Sequence, residues 1–222
     1  MKKFKIKSYC KINLSLKVLE KLKNNYHKIT SLITFCNVFD LISIKKNKST
    51  KDRIVFTGQF NKGISKNKNT LKLVLSKLRK LKLLEDTFFF INVKKNIPHG
   101  SGLGGASSNA ASLLIFLNSK FRLKLNKKKI KKIANEIGFD VPICLDRKNT
   151  FLTGKKDQIL RLKRDFRLNM LVVYPNIICS TKKIYQKNKN RSLIKIKIPT
   201  LYDKKKLIKF LKNEKNDLQD AV

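Results

Sequence analysis

The sequence predicts an α+β fold, because strand-like patterning early in the chain gives way to a mixture of helical and strand-like segments. Apolar and polar residues alternate over 11–16, and residues 2–58 continue mostly in this way, which is typical of half-buried strands. From Leu71 the apolar spacing changes to that of a helix, with Val74 and Leu78 on the same face. Strands followed by alternating strands and helices indicate an α+β protein.

The same patterns place each element in order. The first strand includes Phe4, Ile6 and the alternating segment 11–16, and a turn is expected at 24–27. The later elements expected, in chain order, are strands at 29–39, 41–44 and 54–57, a polar loop at 61–69, a helix at 71–81, a strand at 87–93, a loop at 96–105, helices at 106–117 and 127–137, a strand at 170–174 and a helix at 204–211.

The composition indicates a globular protein of one large domain or two small ones. Of the 222 residues, 41% are hydrophobic and 14 are Phe, which is enough apolar material for a core. Apolar runs stay well below the roughly 18 residues that span a bilayer. Lysines also interrupt the N-terminal segment where a signal peptide would be apolar. We therefore expect a cytoplasmic protein with no membrane partner.

The net charge of +39 raises the question of nucleic-acid binding. Only eight of the 53 basic residues are arginine, whereas proteins that read bases favour arginine, and the lysines are spread along the whole chain. Asn, Ile and Phe are abundant while Gly, Pro and Trp are scarce, as expected from an AT-rich genome. The composition therefore predicts no specific nucleic-acid partner, only non-specific binding of polyanions at low salt.

The four cysteines are widely separated and show no metal-binding or disulfide pattern. Cys10, Cys36, Cys144 and Cys179 include no C-x-x-C pair, and the chain has only two histidines. We expect free thiols in a reducing compartment.

The glycines of the chain cluster in one segment, since four of the eight lie within Gly100–Gly105. Glycines leave backbone amides accessible to a ligand, and the helix expected from Ala106 adds its N-terminal N–H groups beside two serines. Such a loop suits a phosphate group. The dinucleotide fingerprint is excluded because no acidic residue occurs between Asp86 and Glu136, and the Walker A pattern is excluded because Ala106 replaces its lysine.

Two of the 14 acidic residues lie in apolar surroundings where they could serve as a base. Asp40 is expected to end a strand and serve a turn, whereas Asp140 lies between Gly138 and Pro142 on a constrained loop after a helix. Alternation predicts that Lys11, Asn13 and Ser15 share one strand face, while the other face, with Ile12, Leu14 and Leu16, is turned to the core.

The segment Pro98–Ala111 resembles the phosphate-binding signature of the GHMP small-molecule kinases, P-x-[GA]-x-G-L-G-G-[GA]-S-S-[DN]-A-A. The resemblance implies that ATP and Mg²⁺ are used, that Asp140 is the catalytic base and that Lys11 supports it. It implies no dedicated protein ligand for the metal. Asn69 resembles an adenine contact of the family, although Asn is also a common helix N-cap. The residues implied to hold ATP are Asn69, Pro98, Gly100, Ser101, Gly102, Leu103, Gly104, Gly105, Ala106, Ser107 and Ser108.

Two further segments resemble one branch of this superfamily, which phosphorylates the 2-hydroxyl of a cytidine diphosphate ester of methylerythritol in non-mevalonate isoprenoid synthesis. They are Lys11–Leu14, taken with Tyr26 and His27, and Gly138–Pro142. The resemblance implies that Asn13 contacts the substrate and that Tyr26, His27 and Tyr185 surround its cytosine ring. Two alternatives stay open: another GHMP kinase, acting on homoserine, mevalonate or a sugar, or a non-catalytic basic nucleic-acid-binding module.

The resemblance implies a GHMP kinase fold with a ribosomal protein S5 domain 2-like N-terminal lobe at 1–150 and a partial C-terminal lobe at 151–222. The superfamily has another glycine-rich motif towards its C-terminus, and this chain has no glycine after Gly154. Residues 216–219 resemble a family segment that lies well before the C-terminus. We therefore expect the second lobe to be incomplete in this chain.

Overall fold

The computed structural model describes residues 2–21, 27–65, 67–153, 159–163, 166–177, 179, 181–188, 192 and 204–221. The strands are β1 (Lys3–Lys21), β2 (His27–Asn47), β3 (Arg53–Thr57), β4 (Phe88–Lys94), β5 (Thr150–Thr153) and β6 (Ile159–Arg161). The α-helices are α1 (Thr70–Lys80), α2 (Gly105–Lys120), α3 (Lys127–Ile137), α4 (Thr181–Lys187) and α5 (Lys204–Asn213). Short 3₁₀ helices lie at Ile143–Leu145 and Gln219–Ala221.

The chain forms two compact units, and the long strands β1 and β2 contribute residues to both. The first unit contains Met1–Lys11 and Cys36–Arg147, and the second contains Ile12–Phe35 and Lys148–Val222. The lobes expected at 1–150 and 151–222 stay a prediction. Residues 12–35, expected in the first lobe, belong to the second unit because β2 pairs there with β5.

The first unit is built on antiparallel pairing of β2 with β4 and parallel pairing of β3 with β4. The register places Ile42 opposite Val93, and Ile91 between Ile44 and Ile54. Ile42, Ile44, Ile91 and Val93 are all at most 1% exposed. The side chains on this face of the sheet therefore form one side of the hydrophobic core.

Helices α1, α2 and α3 add their apolar side chains to the same buried cluster. Helix α1 buries Leu71, Val74, Leu75 and Leu78, at the spacing that predicted it, and Asn69 caps its N-terminus by accepting a hydrogen bond from the backbone of Lys72. Helix α2 buries the small residues Ala110 and Ala111 together with three leucines. Each fully buried leucine contributes roughly 1.5–3 kcal/mol, so this cluster supplies much of the unit's stability.

The second unit pairs β2 antiparallel with β5, and β5 antiparallel with β6. Leu32, Phe151 and Leu207 form its buried cluster, so α5 packs on this part of the sheet through its single buried leucine. Asp217 accepts a hydrogen bond from the backbone of Val18 at 2.8 Å, which ties the end of the described chain to β1.

The α+β fold class is confirmed, as are most of the expected elements. Helix α3 has the predicted bounds, and α1, α2, α5 and β4 differ from prediction by a few residues at their ends. Strands β5 and β6 and helix α4 were not predicted. They have only four, three and seven residues, and the pairing that defines β5 is with Thr30–Ile33, far away in the sequence. Most of the turn expected at 24–27 lies outside the described residues, and His27 begins β2.

The strand expected at 170–174 is not formed. Leu171 is 91% exposed and Val173 is 78% exposed, and the segment has no regular secondary structure. A short apolar segment becomes a strand only when a neighbouring strand accepts its hydrogen bonds and its side chains are covered. No such partner lies among the described residues.

Two expectations about side chains were also wrong. Asp40 does not end a strand but lies inside β2 and is fully buried. On β1, Leu16 is buried as expected. Lys11 and Ser15, however, are also buried, at 6% and 2% exposure, while Ile12 and Leu14 are only half-buried. Polar partners cover Lys11 and Ser15, so a simple division into a polar and an apolar face does not apply here.

The four cysteines are free, as predicted. Among the helices that the structure describes, none has the length and hydrophobicity required to span a bilayer.

Candidate active site

The glycine-rich loop of the first unit ends in a left-handed glycine that opens helix α2. Gly104 is the N-cap residue of α2 and has φ of 69°. A Cβ atom at this position would lie 2.7 Å from Cγ of Lys11, so side chain and loop approach too closely for any residue but glycine. Ser101 donates a hydrogen bond to the carbonyl of Pro98 at 2.8 Å and closes the start of the loop.

The N-terminus of α2 presents backbone donors without a side-chain cap. The first intrahelical bond runs from Ser108 N to the carbonyl of Gly104 at 2.8 Å, so the N–H groups of 105–107 have no partner within the helix. Together with the helix dipole, these donors suit an anionic oxygen. Gly102 has open space where a Cβ would be, so the loop has room for such a ligand. The residues present therefore fit a bound phosphate group.

Lys11 joins this loop to Asp140. Its backbone N–H donates to the carbonyl of Leu103 at 3.0 Å, its side-chain carbons pack against Gly104, and its ammonium lies 3.2 Å from the Asp140 carboxylate. The lysine side chain is 8% exposed and the aspartate side chain 40% exposed. An acid accessible from solvent is thus held beside the phosphate loop by a nearly buried cation.

The position of Asp140 follows from the end of α3. Gly138 caps α3 through a bond from its N–H to the carbonyl of Ala134, and Val141 N then donates to Gly138 O at 3.1 Å in the following turn. The backbone carbonyl of Asp140 accepts from Cys144 N at 3.2 Å, at the start of the 3₁₀ helix. The backbone on both sides of the acid is therefore fixed by hydrogen bonds.

Two other expected ATP ligands have structural partners. The hydroxyl of Ser108 donates to Sγ of Cys144 at 3.2 Å, and Ser108 is 3% exposed. Asn69 caps α1, and its side-chain amide also donates to the carbonyl of Ser65 at 3.3 Å. The cap accounts for the presence of Asn69, and its contact with adenine stays a prediction.

The expected substrate residues that the structure describes belong to the second unit. His27 and Tyr185 stack with ring centroids 5.0 Å apart and an angle of 23° between their planes. Asn13 donates to the hydroxyl of Ser31 at 2.7 Å, and that hydroxyl donates to the carbonyl of Ser15 at 2.6 Å. Tyr26 lies outside the described residues.

The sequence reasoning missed a hydrogen-bonded pair of thiols in the first unit. Cys10 on β1 and Cys36 on β2 hydrogen-bond to each other, which lowers the pKa of Cys36 from 9.0 to about 6. The same bond, together with burial, raises the pKa of Cys10 far above its ordinary value. The two cysteines meet because their strands pair. No local pattern in the sequence indicates this contact.

It also missed a buried polar cluster formed by Asp40, Lys95 and Asn109. The one sequence signal for this cluster was the apolar sequence around Asp40. A carboxylate between buried positions of a strand requires a cation or hydrogen-bond donors as partners.

Comparison with known proteins agrees with this geometry. Residues 68–147 match the family described as the GHMP kinases N terminal domain. A relative from Pelagibacter ubique, named 4-diphosphocytidyl-2-C-methyl-D-erythritol kinase, is 43% identical over all of this chain and 77% of its own length.

Solved structures share the fold. A crystal structure of 4-(cytidine 5'-diphospho)-2C-methyl-D-erythritol kinase aligns with a TM-score of 0.62 and 21% identity, over 84% of this chain and 65% of that one. Homoserine kinase from Cytophaga hutchinsonii aligns with a TM-score of 0.60 and 20% identity, over 87% of this chain and 62% of that one.

The solved structures show that the chain has the GHMP kinase fold. The Pelagibacter relative, which is 43% identical over all of this chain, shows which family of GHMP kinases it belongs to. The chain therefore belongs to the 4-diphosphocytidyl-2-C-methyl-D-erythritol kinase family of GHMP kinases.

Proposed function

We propose that this chain transfers the γ-phosphoryl group of ATP to the 2-hydroxyl of 4-diphosphocytidyl-2-C-methyl-D-erythritol, a step of the non-mevalonate route to isoprenoid precursors. The observation that carries the proposal is Lys11, which contacts both the phosphate loop and Asp140. Through these two contacts Lys11 holds the Asp140 carboxylate beside the candidate site for the ATP phosphates. Family membership supplies the substrate class.

In this proposal the loop and the start of α2 hold the ATP phosphates through backbone N–H groups. Such donors are fixed before the substrate arrives and stabilise negative charge on the transferred group without reorganising. Phosphoryl transfer depends mainly on alignment and charge stabilisation, so a rigid loop contributes directly to the rate. Mg²⁺ bound to the phosphates would neutralise part of their charge.

Asp140 accepts the proton of the attacking hydroxyl, and Lys11 holds its carboxylate in place. The carboxylate is partly exposed, so a substrate hydroxyl can reach it, and the ammonium that holds it lies 3.2 Å away and is nearly buried. A general base in this position contributes typically about 10²–10⁴-fold to the rate.

The stacked pair His27 and Tyr185 is our candidate for holding the cytosine ring, with Tyr26 as a further candidate from the sequence. Aromatic rings hold a pyrimidine through its faces, and histidine adds a hydrogen bond to its edge. Asn13 is our candidate for a further polar contact with the substrate.

The lobes proposed for these tasks are 1–150, which binds ATP and carries the base, and 151–222, which forms part of the substrate lobe. The four free cysteines and the use of ATP favour the cytoplasm as the compartment. The proposed partners are small molecules, with no specific nucleic acid among them.

The test is a substrate panel with the 222-residue chain, ATP and Mg²⁺. We expect phosphorylation of 4-diphosphocytidyl-2-C-methyl-D-erythritol and none of homoserine, mevalonate or simple sugars, measured by ³¹P NMR or product mass. Turnover of homoserine or mevalonate without turnover of the cytidine substrate would replace the proposed substrate with that of another GHMP kinase.

A further inference from the structure

The two ends of the phosphate loop bond to the same buried carboxylate. Oδ1 of Asp40 accepts hydrogen bonds from the backbone N–H groups of Asn96 at 2.8 Å and Ile97 at 2.9 Å, immediately before the loop. Oδ2 accepts from the side-chain amide of Asn109 at 3.0 Å, in the second turn of α2. The two residues before the loop at 98–104 and the second turn of the helix after it therefore bond to one side chain of β2.

A buried lysine neutralises this carboxylate. Lys95 is 4% exposed and its ammonium bonds to Oδ2 of Asp40, which is itself fully buried. The lysine backbone is also fixed, since its N–H donates to the carbonyl of Thr57 at 2.7 Å. Two buried charges persist in a protein core only when they are paired and hydrogen-bonded, as they are here.

The ion pair also touches the start of α2. A Cβ on Gly105 would lie 3.3 Å from Nζ of Lys95 and 3.0 Å from a methyl carbon of Ile97. The first residue of α2 therefore has no room for a side chain beside the Lys95 ammonium, which pairs with Asp40, and beside Ile97, whose backbone Asp40 binds. Movement of Asp40 or Lys95 would shift the backbone donors at the helix N-terminus.

We propose that Asp40 is a positioning residue for the ATP phosphates: it fixes both flanks of the phosphate loop and, through Lys95, the N-terminus of α2. The inference rests on the proposed function, because it assigns the loop to ATP. Asp40 does not itself touch the nucleotide. It acts through Asn96, Ile97 and Asn109.

The test is Asp40→Asn, which keeps the shape of the side chain and the acceptor for Asn96 and Ile97. The new amide nitrogen faces two donors, Lys95 and the Asn109 amide, so Lys95 is left without its counter-ion, and the charge-assisted bond to α2 is replaced at most by a neutral bond between two amides. We expect the KM for ATP to rise about 10- to 100-fold, which corresponds to the loss of about one hydrogen bond to a charged phosphate. The KM for the phosphoryl acceptor should stay unchanged.

Asp52→Asn is a matched control in the same unit. Asp52 binds Arg79 at 2.9 Å and the backbone N–H of Phe89 at 2.8 Å, so it also pairs with a cation and a backbone donor, but it bonds to α1 and β4 and not to the loop. We expect this variant to melt at a lower temperature with the wild-type KM for ATP. An equal rise in KM in both variants, or a lower melting temperature without a change of KM in Asp40→Asn, would make Asp40 a purely structural residue.

Two readouts keep this test separate from the proposed reaction. Binding of ATP, measured by equilibrium dialysis, and amide hydrogen exchange at 98–107 without nucleotide both require no turnover. We expect weaker ATP binding and faster exchange at 98–107 in Asp40→Asn and neither change in Asp52→Asn. If the substrate panel fails while these differences are found, the proposed substrate is wrong and the role of Asp40 stands.

A second variant covers the case in which Asp40→Asn does not fold. Asp40→Asn combined with Lys95→Met removes both buried charges, and replacing a buried ion pair by uncharged groups is often tolerated. The charge-assisted bond from Asn109 to the carboxylate is still lost, so ATP binding should stay weaker than in the wild type in a folded protein. Wild-type ATP affinity in this double variant would overturn the proposal.

Discussion

At the scale of single residues, one side chain combines contacts that the sequence analysis could only list separately. Lys11 bonds to the loop through its backbone, packs on Gly104 through its methylene groups and pairs with Asp140 through its ammonium. Selecting one lysine among the 53 basic residues required the resemblance to a kinase motif. The structure supplies the physical reason, because 8% exposure of a lysine side chain is unusual unless the charge has a partner.

If Asp140 is the catalytic base, replacing it should lower turnover without weakening the binding of ATP. Asp140→Asn keeps the size of the side chain but removes the proton acceptor, so kcat should fall by about 10²–10⁴-fold. The dissociation constant for ATP should change little, because the backbone donors of the loop are untouched. Steady-state kinetics and equilibrium dialysis measure the two quantities. If Asp140→Asn retains wild-type kcat, the base must be sought elsewhere.

The thiol pair predicts selective alkylation that depends on pH. The hydrogen bond from Cys10 lowers the pKa of Cys36 to about 6, so Cys36 is a thiolate at neutral pH, while the raised pKa of Cys10 keeps it protonated. Because the thiolate is the nucleophile, iodoacetamide should modify Cys36 first, with a rate that reaches half its maximum near pH 6. Peptide mass spectrometry over a pH series measures this rate, with N-acetylcysteine as the reference thiol.

The matched variant for the thiol pair is Cys10→Ala, which removes the hydrogen-bond donor. The pKa of Cys36 should then rise towards 9.0, and its alkylation at pH 7 should slow. An unchanged pH profile in this variant would show that another group lowers the pKa of Cys36.

At the scale of elements, the junction of the phosphate loop with α2 predicts different outcomes for two neighbouring glycines. Gly102 and Gly104 have φ of 74° and 69°, so alanine costs each roughly 1–2 kcal/mol of backbone strain. Only at Gly104 would the new methyl group also collide with the Lys11 side chain, at 2.7 Å. Gly104→Ala should therefore displace Lys11 and lower both kcat and ATP affinity.

Gly102→Ala is the control, since nothing lies within 4 Å of its added Cβ. It should lose a similar amount of stability in thermal melts and keep the pairing of Lys11 with Asp140, so its kcat should stay closer to wild type. Equal loss of kcat in both variants would attribute the effect to strain in the loop and not to Lys11.

Elements with strong local signals could be predicted from the sequence, and those defined by distant partners could not. Helix α3 has the predicted bounds because its apolar residues recur at helical spacing and Asn126 caps its start by accepting from Lys129 N. The phosphate loop was recognised because glycine is otherwise rare in the chain. Asp40 was misplaced because its partners lie 55 or more residues away, and local alternation carries no information about them.

At the scale of the whole molecule, the division into units also depends on contacts distant in sequence. Residues 12–35 group with 148–222 because Thr30–Ile33 pair with Thr150–Thr153 across more than a hundred residues of the first unit. A single cut along the sequence does not separate these two units, because each contains two stretches of the chain. Pairing between distant strands is the information that composition and periodicity lack.

The net charge of +39 is a property of the whole chain and predicts non-specific binding of polyanions. Counter-ion release gives binding that weakens steeply with salt, so contacts with six to ten phosphates would lose about 10³–10⁵-fold in affinity between roughly 50 and 200 mM salt. We expect random and defined DNA duplexes to bind equally and to dissociate together as salt rises, measured by fluorescence anisotropy. Asp140→Asn should bind DNA like the wild type. Binding that survives salt and prefers one sequence would instead favour a nucleic-acid-binding module, because charge alone does not distinguish bases.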